Sequence, residues 1–290
     1  MTQIGLERPT TGPMIAVEAP ARAAPEIMGI VNVTPDSFSD GGRHDAPQAA
    51  LAHARRLAAE GAGILDIGGE STRPGAPPVD EALEMARVLP VIGALAAETL
   101  GVISIDTMKP AVARAAVAAG AGIWNDVTAL RHSPASADTA AELGCQVVLM
   151  HMQGEPRTMQ AAPRYDDVVA QVCEFLAARA EAAMQAGVAR DRIWLDPGIG
   201  FGKTLAHNLA LLAHLDQVRA LGFPVLLGAS RKRFIAALDP QAQDPEARAP
   251  GSIAAALAGA AAGVAAVRVH DVAQTAQALR VWGAIEAARA

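Results

Sequence analysis

The sequence predicts an α/β protein, a closed (β/α)8 TIM barrel formed as a single domain. Three observations carry that expectation. Eight apolar, strand-like runs alternate with eight helical stretches, and each run turns polar at its carboxyl end. No run leads into G-x-G-x-x-G with an acidic residue at the distance a dinucleotide site needs, which weakens the alternative of an open, doubly wound sheet.

In chain order the strands fall at 27–31, 64–67, 102–105, 122–124, 146–150, 193–195, 224–227 and 265–269. Helical stretches follow at 47–60, 79–100, 110–119, 135–143, 165–186, 205–221, 232–238 with 253–262, and 271–288. The barrel is therefore expected over 25–290. Residues 1–24 include Glu7, Arg8, Pro9, Pro13, Glu18 and Pro20 and hold no continuous apolar segment, so they read as a flexible tail and not as a secretory signal.

Composition agrees with one large core: 290 residues, 51% hydrophobic and 19% charged. Aromatics are only 3%, so branched aliphatics in strands and small residues in helices must fill it. A net charge of −6 argues against nucleic acid or an anionic membrane as partner, and any anionic substrate must be held by a local cluster of cations. The longest apolar run, 253–267, is mostly alanine and glycine and too short to span a bilayer. Cys145 and Cys173 lack C-x-x-C or histidine spacing, which points away from disulfides and zinc and toward the cytoplasm.

The polar strand ends are Asn32; Asp66 with Glu70, Ser71, Thr72 and Arg73; Asp106; Asn125; His151; Asp196; Ser230 with Lys232; and Arg268 with His270. Any one of them alone reads as readily as a helix cap. A barrel brings all of them to one face, where such enzymes carry their sites. The segment IWLDPGIGFGKT (193–204) shows the pattern best, a strand that delivers Asp196 into a glycine-rich turn. A phosphate-binding P-loop is excluded there, because Pro197 stands where that motif needs glycine. Carboxylates and an amide such as Asp196, Asp106 and Asn125 suit a flat heterocycle with adjacent N–H donors. Arg268 and His270, two apart on an alternating strand, share a side and suit an anion. No Ser-His-Asp or Cys-His pairing stands out, so a protein nucleophile is not expected.

The motifs MGIVNVTPDSFSDGG (28–42), LDIGGESTRPGA (65–76), ISIDTMKP (103–110), IWNDV (123–127), MHMQGEPRTMQ (150–160), LDPGIGFGKT (195–204), GASRKRF (228–234) and RVHDV (268–272) resemble the dihydropteroate synthase family. The resemblance runs from about residue 27 to the last helix. It implies a (β/α)8 barrel that condenses 6-hydroxymethyl-7,8-dihydropterin pyrophosphate with p-aminobenzoate. The products would be 7,8-dihydropteroate and pyrophosphate, in folate biosynthesis, by a dissociative route assisted by Mg²⁺.

By the same resemblance Asp106, Asn125 and Asp196 hold the pterin, with Lys232 on its carbonyl side and Arg268 stacked on the ring. Thr72, Arg268 and His270 surround the pyrophosphate and Asn32 helps hold the metal, while Arg73, by its place beside Thr72, sits in a loop that could fold over Arg268 and His270. Asp106, Lys232, Arg268 and His270 are the implied catalytic set. Loops 34–44 and 69–78 would close to form the p-aminobenzoate site from Asp36, Phe38 and Pro74, with Phe201 and Lys203 opposite. Lys232 and the helix start behind Ser230 would take the aminobenzoate carboxylate. The family also implies sulfonamide sensitivity and a homodimer through the last helices. Arg233 departs from it, standing where many members carry serine, and 239–250 reads as a surface insert. Two other functions fit the same frame: methyl transfer from a folate to a corrinoid protein, and pterin binding without turnover. The 34–42 and 71–75 loops, with Arg268 and His270 for pyrophosphate, count against the first, and intact candidates at all the strand ends count against the second.

Overall fold

In the computed structural model, described over residues 24–34, 46–71, 76–155 and 158–289, the strands form a barrel. They are β1 (Glu26–Asn32), β2 (Ile64–Gly68), β3 (Val102–Asp106), β4 (Ile123–Asp126), β5 (Gln146–Met150), β6 (Ile193–Asp196), β7 (Leu226–Leu227) and β8 (Ala266–Val269). All are parallel, in the order β6-β5-β4-β3-β2-β1-β8-β7. The ring closes between β6 and β7 through one bridge, Leu195 to Val225, and the Leu195 N–H donating to the Pro224 carbonyl at 2.9 Å. The tail expected at 1–24 lies, but for its last residue, outside the described residues.

The helices are α1 (Ala46–Glu60), α2 (Glu81–Glu98), α3 (Pro110–Ala118), α4 (Ser136–Leu143), α5 (Val168–Gln185), α6 (Leu205–Ala213), α7 (Leu215–Arg219), α8 (Arg233–Leu238), α9 (Ala249–Ala262) and α10 (Val272–Ala287). Caps explain where two of them start later than expected. Asp80 accepts from the Leu83 N–H and sets the start of α2, while Asp167 accepts from the Val169 and Ala170 N–H groups and starts α5. The single helix expected over 205–221 is two, because His214 leaves the helical region at φ −121° and ψ 34°. The seventh strand is shorter than the 224–227 run, since Pro224 has no N–H to give a ladder.

Strand alternation sorts most of the buried aliphatic strand residues between two cores. Leu65, Ile67, Ile103, Ile105, Val267 and Val269 point outward to the helices and join one large cluster. Met28, Ile64, Ile123, Val148, Leu226 and Ala266 point inward and plug the barrel, with Trp194 against them. Truncating a fully buried aliphatic such as Leu65 should cost about 2 to 5 kcal/mol. Two residues further along four of these strands, on the same inward face, the plug gives way to Asp66, Asn125, Asp196 and Arg268. The polar layer therefore stands on the apolar one and opens at the carboxyl ends of the strands.

Candidate active site

At the centre of that layer is a charged cluster built from strands far apart in sequence. The Arg268 Nε donates to Asp66 Oδ2 at 2.6 Å and its Nη2 to Asp106 Oδ2 at 2.7 Å. Asn125 Nδ2 donates to the same Asp66 oxygen at 3.2 Å. Asp196 accepts the Gly198 N–H at 2.7 Å, which fixes the carboxylate where the strand turns away. Gly198 is required there: its φ is +66°, and a Cβ would stand 1.9 Å from the His151 carbonyl oxygen. Lys232 comes from the β7–α8 loop, its Nζ 4.0 Å from the centroid of the Phe201 ring.

Asn32, at the end of β1, completes the ring of strand ends. A Cβ placed on Gly68 would lie 3.7 Å from Asp106 Oδ2 and 3.9 Å from Asn32 Oδ1, so both oxygens border the space that glycine leaves. His270, just past β8, has Nδ1 3.0 Å from Ser230 Oγ. Beside the polar layer lies a soft apolar wall of Val127, Met150, Met152, Met159 and Phe201, with Met108 against it.

The electrostatics follow from burial and from crowding of like charges. Burial pushes Asp106 up to about 7, with Arg268 pulling it down and the carboxylates of Asp66, Glu84 and Asp126 pushing it further up. Burial also raises Asp196, against the Gly198 N–H and the charges of Lys232, Lys203 and Arg268. It lowers Lys232 to about 8, helped by Arg268 and opposed by Asp196 and Asp106. For Arg268 burial works downward, but Asp66 and Asp106 outweigh it and hold the guanidinium charged. His270 is pressed down to about 3 by burial and by the Arg268 and Arg231 charges, so it is neutral at pH 7.

The structure thus brings together Asn32, Asp106, Asn125, Asp196, Lys232, Arg268 and His270 at one end of the barrel. Asp36, Phe38, Thr72, Arg73 and Pro74 lie outside the described residues. Phe201 is only 9% exposed and packs into the methionine wall. Lys203 departs from expectation. It does not face the site as a free cation, because its Nζ is buried against the Gly198 carbonyl (2.9 Å), the Phe201 carbonyl (3.0 Å) and His151 Nδ1 (2.9 Å). Burial, with the Lys232 charge adding to it, lowers this amine to about 7. It braces the loop that carries Phe201.

The 239–250 insert is not a plain surface loop either. Arg248 within it is 9% exposed and donates to the carbonyls of Ala242, Gln243 and Arg231, the last directly before Lys232. Arg233 itself is exposed.

Two groups of residues went unassigned from the sequence. Asp66, fully buried, joins Arg268 and Asn125, and its inward parity with Ile64 on a strand was the available signal. Lys109 pairs with Glu70 at 2.5 Å and also with Glu84, which is fully buried; Glu70 in turn accepts the Val79 N–H at 3.1 Å. This clamp closes the base of the β2–α2 loop. Nothing in the pattern of α2 distinguishes Glu84 from a solvated first-turn acid.

Comparison with known proteins gives concordant findings. Residues 28–270 match the family model described as pterin binding enzyme. The chain is 48% identical over 257 residues to dihydropteroate synthase of Escherichia coli K12, covering 89% of this chain and 90% of that one. It is also similar to the solved Xanthomonas albilineans dihydropteroate synthase with 4-aminobenzoic acid, at 56% identity and a TM-score of 0.86, covering 91% of this chain and 94% of that one. Against the same organism's enzyme in complex with 7,8-dihydropteroate the values are 53% and 0.83, with the same coverage.

Proposed function

The chain belongs to the pterin binding enzymes, within the dihydropteroate synthase family, and from that premise we propose that it transfers a pterinylmethyl group from pterin pyrophosphate to p-aminobenzoate. The observation that carries this reading is the convergence of Asp106, Asn125, Asp196, Lys232 and Arg268 around one cleft floor. The Asp196 carboxylate accepts the paired N–H groups of the pterin edge, and Asn125 offers a donor and an acceptor beside it. Lys232 donates to the pterin carbonyl. The Arg268 guanidinium, held by Asp66 and Asp106, presents its plane to the heterocycle.

Arg268 and His270, with Thr72 and Arg73 from the β2–α2 loop, receive the diphosphate. In the dissociative route the methylene C–O bond breaks first, its electron pair leaving with the diphosphate oxygen. The methylene cation then accepts the lone pair of the aminobenzoate nitrogen, and the acidic anilinium so formed gives its proton to water. The carboxyl groups of Asp66, Asp106 and Asp196 lie around Arg268 and Lys232, and Asp106 in its ionised form would stabilise positive charge developing on the pterin. The amine is neutral at working pH and needs no base. Phe201 and Lys232 line the aminobenzoate side, where a sulfonamide would compete.

Mg²⁺ fits this site only as a partner of the substrate. Among the described residues no group of three or more His, Cys, Asp or Glu is placed to hold a metal. Asn32 offers one neutral oxygen beside Gly68, which suits an ion whose other ligands are phosphate oxygens and water. When bound, the ion neutralises charge on the departing diphosphate.

Among the described residues no helix is long and apolar enough to cross a membrane. The free thiols of Cys145 and Cys173 favour the cytoplasm. The exposed Val281 and Ile285 on α10 favour a homodimer through the last helices. The test of the central reading is pyrophosphate release from the pterin substrate, measured with and without p-aminobenzoate and Mg²⁺. Release that depends on both supports it. A protein that binds the pterin and releases nothing overturns it.

A further inference from the structure

The β7–α8 and β8–α10 loops are joined residue for residue. Ser230 Oγ lies 3.0 Å from His270 Nδ1 and accepts the His270 N–H at 3.2 Å. One position on, Arg231 donates to both oxygens of Asp271, from Nε at 3.1 Å and from Nη2 at 2.6 Å. Arg231 holds this pose at φ +55°, a left-handed conformation that costs a side chain of this size of order 1 kcal/mol or more. Its backbone is pinned on both sides, the N–H by Ser252 Oγ at 2.8 Å and the carbonyl by Arg248 Nη1 at 3.0 Å.

Asp271 is equally out of the ordinary. It occupies the N-cap position of α10, where an aspartate normally accepts from the first-turn N–H groups, yet its side chain makes no capping bond. Both oxygens are spent on Arg231 instead. A strained arginine and a diverted cap meet beside His270 and one residue from Lys232, a local conflict of the kind that marks functional sites.

We propose that Arg231 is a positioning residue. By gripping Asp271 with a two-pronged fork it occupies both oxygens of that carboxylate. It also keeps the Asp271 carboxylate off the amide end of α10, where it would repel the diphosphate that Arg268 and His270 receive. The inference rests on the diphosphate reading above.

The test compares the full-length protein with Arg231→Met, Asp271→Asn and the double variant, using inorganic pyrophosphate with Mg²⁺ and a hydroxymethyl-dihydropterin without phosphate as separate probes in calorimetry. Arg231→Met frees Asp271 and should weaken pyrophosphate about tenfold, with pterin affinity kept within about twofold as proof of folding. In turnover it should raise KM for the pterin pyrophosphate more than it lowers kcat. Asp271→Asn alone should bind pyrophosphate as well as the unaltered protein or better, and the double variant should recover most of what Arg231→Met lost.

A double variant as weak as Arg231→Met would mean that Arg231 acts only through its own charge, and the proposal falls. So does a weakened Asp271→Asn, which also serves should Arg231→Met not fold. If the unaltered protein binds no pyrophosphate, it is the diphosphate reading that fails.

Discussion

Replacing Asp66 by asparagine tests the organisation of the cleft floor without changing its volume. The carboxylate is fully buried and accepts from Arg268 Nε at 2.6 Å and Asn125 Nδ2 at 3.2 Å. A neutral amide still offers one acceptor but no charge to the guanidinium. Breaking a buried ion pair costs about 3 to 5 kcal/mol, and because Arg268 keeps Asp106 the loss belongs near the lower figure. At about 2 to 4 °C per kcal/mol for a domain of this size, the melting temperature should fall by about 6 to 12 °C.

The same substitution has a second readout. The Asp66 charge helps hold Asp106 up at about 7, so removing it lets Asp106 ionise at lower pH. The acid limb of kcat/KM for the pterin substrate should therefore move down, even as its plateau drops by more than tenfold through a displaced Arg268. A melt within about 2 °C of the unaltered protein together with an unmoved acid limb would refute the reasoning.

Other expectations follow from the same charges. Lys109→Met leaves Glu84 and Glu70 buried without their cation and should destabilise by about 3 to 5 kcal/mol in urea melts, with part recovered when Glu84→Gln is added. Lys203 titrates near 7 in the folded chain and near 10.5 when unfolded, so unfolding takes up a proton between those values. Its share of stability is complete above about 10.5 and is lost as pH falls through 7. Lys203→Met should flatten that rise in denaturation curves taken from pH 7 to 10. Lys232 loses its proton as pH rises through about 8, so pterin affinity should decline on the alkaline side of that value and Lys232→Arg should hold it higher.

What the sequence disclosed about the site was position along each strand. The switch from Ile64 to Asp66, from Ile123 to Asn125 and from Trp194 to Asp196 is visible as a step of two, and alternation turns it into a layer inside the barrel. The roles of Asp66 and Lys203 were not legible in the same way. A carboxylate that binds a ligand and one that holds the arginine binding it are identical as letters, and only the Arg268 and Asn125 contacts separate them. Lys203 follows a glycine turn that folds its amine back onto the Gly198 and Phe201 carbonyls, a local geometry that spacing does not encode. Glu84 and Arg248 were hidden for a related reason: each is a charge whose burial depends on how another segment folds against it, Lys109 against Glu84 and the carbonyls of Arg231, Ala242 and Gln243 against Arg248. The split at His214 turns on one backbone angle in an otherwise continuous helical pattern.

The meagre contact between β6 and β7 has its own consequence. The hoop is fastened there by a narrow clasp, and the two banks of that seam carry Asp196 on one side and the approach to Lys232 on the other. A heterocycle gripped by both would rivet the seam, adding to the fold a free energy of RT ln(1 + [L]/Kd) at the spot where the protein supplies least of its own. Amide exchange at Leu195 and Val225 is then the place to watch the substrate tighten the ring.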